Sequence, residues 1–401
     1  MTTADLPDPI AVPAEAAAER LLLRAAEPAD LDALERMARA SAAGITTLPP
    51  DRAALAARLQ RSTDSFQRPD LPTGEEIYLF VLEDRARAAA GGDPVIGTCG
   101  ITAAAGYADR YYCYRNETLV HASAALQARN RVHTLQLSHA LTGTTMLTSF
   151  YIEPAYERGI APQLLSRARL LFIAEFAERF ADHIVAESPG LADADGRCPF
   201  WDAVGRRFFD MDYPQVERLA VGRSKAFIAE LLPQAPIYVP LLPEAAQWAI
   251  GQLNPVAEVP FAILMDEGFE SETYVDVFDG GPIVDAQVAT LRTVAQSRAA
   301  PADWLAAQAP ADPGGPGDSG ADRGDPQVWH LVATTRRQGF RAVLARARWV
   351  AGHWRLAAAD AARLGLAASA DRGVRLRAAP LSQGALVPHP GGGLDADGDA
   401  A

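Results

Sequence analysis

The sequence has almost no lysine. Lys225 is the only one among 37 basic residues, so any catalytic lysine would have to be that side chain. Cysteine is nearly as scarce. Cys99, Cys113 and Cys198 are widely separated and form no CxxC pair, which suits a reducing compartment and argues against a structural zinc site. No apolar run reaches the ~18 residues needed to span a bilayer. The stretch MTTADLPDPIAVPAEAAAER has acids where a signal peptide needs bases, and no apolar h-region. Positive charge is in deficit as well: the formal net charge is −13 and the pI about 5.1, which argues against a nucleic-acid or anionic-membrane surface. These absences predict a cytoplasmic protein with no membrane or nucleic-acid partner. What the chain has is core-forming material. Of its 401 residues 49% are hydrophobic, enough for roughly two to three domains.

Residues 1–19 are rich in Ala, Pro and acids without periodicity, and read as a disordered extension. A short strand follows at Leu21-Leu22-Leu23. Then come two helices, in AEPADLDALERMARAS and PPDRAALAARLQRSTDSF, and strands in IYLFVLED (77–84) and DPVIGTCGI (93–101). HIVAES (183–188) reads as another strand, and CPFWDAVGRRFFDMDY (198–213) as a helix turning at Gly205 into a final strand. Residues 223–306 read as a second unit, because FAILMDEGF repeats the helix–Gly–Phe logic of FWDAVGRRF. Pro, Gly, Asp and Ala dominate 307–327, a flexible linker. Alternating residues in 328–385 suggest a small β-rich domain, and 386–401 a disordered tail.

One junction carries chemistry. In MLTSFYIEPAYERGIAPQLL (146–165) an apolar strand is stopped by Pro154, and helical spacing begins after Gly159 and Ala161. A helix N-terminus offers free N–H groups and the positive end of a dipole, which suits a phosphate, and small residues there let a ligand approach the backbone.

The segment YIEPAYERGIAPQLL resembles the acetyl-CoA-binding motif of the GCN5-related N-acyltransferase superfamily, with Tyr156, Gly159 and Ala161 at the matching positions. Tyr156 departs from the usual Gln or Arg, and Trp201 falls where many members carry a Tyr hydroxyl. Longer segments, among them GITTLPPD, RNETLVHAS, SHALTGTTMLTSFYI, CPFWDAVGRRFFDMDY, IYVPLLP and YVDVFDGGP, are similar to the arginine N-succinyltransferase family over roughly residues 20–380, nearest to its alpha chain. The resemblance implies an α+β, GCN5-related N-acyltransferase-like fold, with an acyl-CoA-binding domain over 20–222 and a second related unit over 223–306. It also implies transfer of a succinyl group from succinyl-CoA to the α-amine of arginine or ornithine, with no cofactor beyond succinyl-CoA. A beta-chain partner or a homo-oligomer is implied too. The family's succinyl-CoA contact falls on Phe150, and its proton-donor His is replaced here by Asn254.

Acyl transfer needs a deprotonated amine, donors for the developing oxyanion and a proton path. The expected site residues are Asn254, His121 and Glu117 for catalysis, and Phe150, Tyr151, Ile152, Arg158, Gly159, Ile160 and Ala161 for the acyl-CoA. Arg115, Arg158 or Lys225 would serve the succinyl carboxylate, Arg158 with the best case because it borders the turn, and Glu187, Asp210 or Asp212 a guanidinium. His133 and His139 have no third ligand at metal spacing, so no metal site is expected. An alternative is a non-catalytic partner subunit that keeps the fold.

Overall fold

The computed structural model describes residues 14–41, 48–69, 72–193, 195–220, 226–305, 328–366 and 373–382. Strand Ile77–Asp84 is apolar on both faces and almost wholly buried, as a strand covered on both sides must be. Tyr78, Phe80 and Leu82 share a core with Leu164, Ala168 and Phe172 of helix Ile160–Glu175. On the opposite face Ile77, Leu79 and Val81 meet Leu34 and Met37 of helix Leu31–Ala40 and Leu55 and Leu59 of helix Arg52–Gln67. Alternation along one strand thus places helices on both faces of the sheet.

Among the described residues sixteen strands join in one sheet. Leu21–Ala25, Ile77–Asp84, Val95–Thr102 and Thr145–Ile152 are antiparallel neighbours. Thr145–Ile152 then lies parallel to His183–Glu187, which is followed by antiparallel Pro282–Gln287, Glu270–Val275, Cys113–Ser123 and Ala128–Ser138. On the other side Leu21–Ala25 pairs with Arg341–Ala345, and His330–Thr334, Arg375–Pro380 and Arg298–Leu305 continue the order. Among the described residues, the strands of 226–305 therefore join the sheet of the strands before 220 and do not build a separate one.

Two further expectations differ. Ala14–Arg20 is a helix rather than part of a disordered extension; Ala18 is buried, and its carbonyl accepts a 2.7 Å hydrogen bond from Arg363. Such a short helix leaves too little periodicity to read. Residues 198–213 contain two short helices, Pro199–Ala203 and Arg206–Phe209, and no strand; helix Tyr213–Ala220 follows. Gly205 is needed for close approach: a Cβ there would fall 2.0 Å from the Trp201 ring. Helix Glu258–Glu267 does end in Gly268 (φ 101°), then Phe269 and strand Glu270–Val275. The likeness between FWDAVGRRF and FAILMDEGF accordingly stops at the glycine. Lys225 lies outside the described residues. Among the described residues no helix is long and apolar enough to cross a membrane.

Candidate functional site

Thr145–Ile152 and His183–Glu187 pair only through Thr145–Ile184, Met146–Val185 and Leu147–Ala186. Beyond Leu147 the first strand stays with Val95–Thr102 as far as Ile152, through a register slip between Thr98 and Gly100. Ser149, at φ 55°, turns the backbone locally. The sheet therefore splits, and its parting edges line an open cleft of about 820 Å³. Residues 146–152 form one wall; Ala186 to Pro189 form the other.

The cleft is reached from both faces of the sheet, and the faces differ. On the side of helix Ile160–Glu175 lie Phe150, Val259, Phe261, Leu264 and the buried Arg169. Arg169 stands 5.6 Å over the Phe150 ring and donates to Ser166 O and Oγ at 3.1 and 3.0 Å. On the opposite side Arg58 donates to Ser149 Oγ at 2.9 Å, and burial, with Arg61 nearby, pushes its pKa down to about 10. Tyr111, buried, donates to Glu187 Oε1 at 2.5 Å. Burial and the Glu187 carboxylate hold its phenol well above the usual range, so it stays a donor. Asp276 and Asp279 also line this side. Asp279 accepts from the Gly190 and Gly281 amides at 2.7 and 2.8 Å, yet burial still raises its pKa.

Helix Ile160–Glu175 starts at the cleft's mouth. Gly159 sits at φ 82°, ψ −141° as its N-cap, with no side chain capping the first turn. A Cβ at Gly159 would meet nothing within 4 Å, so the N-cap itself faces open space, while Ile160 and Ala161 behind it are buried. Arg158 is exposed beside it and lines the cleft. Tyr156, at the position where the sequence departs from the acyl-CoA motif, is a structural anchor: its hydroxyl donates to Asp84 at 2.9 Å.

The structure thus brings together Phe150, Tyr151, Ile152, Arg158 and Glu187 as cleft lining, with Gly159, Ile160 and Ala161 adjoining. Asn254 sits at the rim, next to the lining residues Pro255 and Val256. Its side-chain oxygen accepts from Val256 N at 3.2 Å, and its backbone N–H donates to Pro189 O at 2.8 Å. Arg115, Glu117, His121 and Asp210 do not line the cleft. The first three belong to Cys113–Ser123, whose partners are Ala128–Ser138 and Glu270–Val275; Arg115 and Glu117 face each other at 3.7 Å. Asp210 caps helix Arg206–Phe209 in the left-handed conformation. Trp201, wholly buried, donates to Met211 O at 2.8 Å and is not part of the lining. Sequence reasoning missed Arg58, Tyr111 and Arg169, which carry no local signal. Asp276 and Asp279 lie in the segment YVDVFDGGP that carries the family resemblance, but were not singled out as site residues. Among the described residues no group of three or more His, Cys, Asp or Glu is arranged to hold a metal.

Comparison with known proteins gives the architecture a family. The profile described as "Arginine N-succinyltransferase beta subunit" matches residues 21–293. The chain is 43% identical over 332 residues to arginine N-succinyltransferase subunit alpha of Pseudomonas aeruginosa, covering 83% of this chain and 92% of that one. It is 37% identical over 362 residues to subunit beta of the same organism, covering 90% and 98%. Arginine N-succinyltransferase of Salmonella paratyphi B is 39% identical over 326 residues, covering 81% and 89%. The solved structure of arginine/ornithine succinyltransferase subunit AI from Pseudomonas aeruginosa superposes with a TM-score of 0.76 at 39% identity, covering 90% of this chain and 99% of that one. The chain belongs to the arginine N-succinyltransferase family.

Proposed function

We propose that this chain transfers the succinyl group of succinyl-CoA to the α-amine of arginine or ornithine, on a GCN5-related N-acyltransferase-like scaffold. The observation that carries the reading is the parting of Thr145–Ile152 from His183–Glu187 next to an uncapped helix start at Gly159. A split sheet accepts an extended chain such as a pantetheine arm along a free strand edge, while the helix start and Arg158 receive the diphosphate. The acidic face with Glu187, Asp276 and Asp279 suits a cationic acceptor. The amine nitrogen attacks the thioester carbonyl, a C–N bond forms as the C–S bond breaks, and the proton lost by the amine balances the CoA thiol released. Succinyl-CoA is then the only co-substrate, and neither a resident cofactor nor a metal is required. The cytoplasm, where succinyl-CoA and arginine degradation would meet, is the compartment this reading needs.

A second reading has one observation in its favour. Asn254 stands where the resemblance places a proton donor, and its oxygen is engaged in capping the next turn. An amide there orients groups but does not titrate. A chain of this kind would act as the supporting subunit of a catalytic partner, and the relatives named alpha and beta give such pairing a precedent. The test is CoA release by the purified chain from succinyl-CoA, with and without arginine or ornithine, with mass analysis of the product. Amine-dependent release and an N-succinyl product support the enzyme. No amine-dependent release overturns it in favour of the supporting subunit.

A further inference from the structure

Arg169 is an anomaly among the charged groups of the cleft. It is only 3% exposed, and among the described residues no carboxylate lies within ion-pair distance of it. The other deeply buried arginines of the core are matched: Arg167 faces Asp266 and Glu267, and Arg363 faces Asp360. Among the described residues the only acceptors Arg169 finds are Ser166 O and Oγ, one turn back on its own helix, and neither bond uses Nη1. Cys99 offers no counter-charge: burial pushes its thiol up to about 12, and it donates to Leu165 O at 3.2 Å. A cation removed from water without a partner is costly unless something supplies the missing charge.

The surroundings say what that something would look like. The guanidinium lies over Phe150, the residue expected to touch the acyl donor. Leu264 and Phe261 line the same side of the cleft, an apolar wall suited to methylene groups. A ligand that fits ends in a carboxylate carried on a short aliphatic chain. We infer that Arg169 binds the free carboxylate of the transferred acyl group and so selects a dicarboxylic acyl-CoA over a monocarboxylic one of equal length. The inference rests on the acyl-CoA reading of the cleft and adds to it the residue that sets acyl specificity. Arg58 is the contrasting case, on the opposite face and hydrogen-bonded to the Ser149 hydroxyl.

The test uses two unreactive thioethers of matched length, S-(3-carboxypropyl)-CoA and S-butyl-CoA, titrated calorimetrically into the full chain. The wild-type protein should bind the carboxylated compound about 10- to 100-fold more tightly, the worth of a charge-assisted hydrogen bond. Arg169→Met should erase that preference and leave S-butyl-CoA affinity unchanged. Arg169→Lys, which keeps the charge but loses the fork, should retain part of it. Equal wild-type affinities overturn the inference, as does a preference that survives in Arg169→Met. Equal loss of both ligands in a folded Arg169→Met protein would make the residue structural and also overturns it. If Arg169→Met does not fold, the wild-type pair and Arg169→Lys still decide. Failure of wild type to bind either thioether is a different outcome, which removes the acyl-CoA reading itself and the inference with it.

Discussion

Two single residues at the cleft can be tested by substitution. Gly159 adopts φ 82°, ψ −141°, a region that costs a residue with a side chain about 1–3 kcal/mol. The space around it is open, so backbone strain, and not a clash, would be the penalty. Gly159→Val should lower stability by no more than about that amount and weaken CoA binding markedly by turning the first-turn amides away. Urea unfolding and CoA titration together check this, and wild-type affinity in the variant would remove the phosphate role. Asn254 tests the proton path. Asn254→His gives up a cap, at a cost of about 0.5–2 kcal/mol, and gains a titrating donor with an ordinary pKa of ~6.5. A general acid must be protonated, so any gain in kcat should be present below that pH and fade as pH rises through it. The ceiling is the ~10²–10⁴-fold that general acid–base help supplies. Superimposable pH–rate profiles of the two proteins would show that position 254 moves no proton.

At the scale of elements, one wall of the cleft depends on a buried charge cluster. Arg167 of helix Ile160–Glu175 meets Asp266 at 2.5 Å and also Glu267, both on helix Glu258–Glu267. Arg292 reaches Asp266 at 2.9 Å, and Thr293 donates to Glu267 through both its amide and its hydroxyl at 2.7 Å. Removing one partner strands the other away from water. Arg167→Met or Glu267→Leu alone should each cost about 3–5 kcal/mol. The double variant should cost clearly less than their sum, since neighbours in one network do not add. Strict additivity in urea unfolding would mean that the pair does not interact. None of this was legible in the sequence, where no local pattern links Arg167 to Asp266 and Glu267 a hundred residues on. The strands at 77–84 and 146–152 and the helix following the Gly159–Ala161 turn were legible, because continuous apolar runs and a Pro–Gly break are local signals. CPFWDAVGRRFFDMDY misled because consecutive Phe208 and Phe209 mimic a strand. In the fold Phe209 packs against Trp201 with the rings tilted at 48° and their centroids 5.3 Å apart, while Phe208 stays exposed.

At the scale of the whole molecule, distant segments are joined by strand pairing that no local pattern announces. Leu21–Ala25 lies beside Arg341–Ala345, with Leu23 opposite Ala342. Arg298–Leu305, just before the Pro/Gly-rich 307–327, pairs antiparallel with Arg375–Pro380 and parallel with His353–Ala357. Arg363 donates to Ala18 O, Leu21 O and Leu344 O, stitching the N-terminal helix to residues beyond position 340. Composition alone makes 307–326 the favoured site of limited proteolysis, and on that basis a free fragment ending near 306 would be expected. The sheet changes this expectation. After cleavage the two pieces still share the ladder on both sides of the cut, and they bury a common core in which Leu22 meets Val332, Val343 and Leu376. The nicked protein should run as two bands under denaturing conditions and as one species in gel filtration. Its CoA affinity should match that of the intact chain, because the cleft is built from residues before 280. Separation of the fragments without denaturant would show that the pairing of 298–305 with 375–380 does not hold the two parts together.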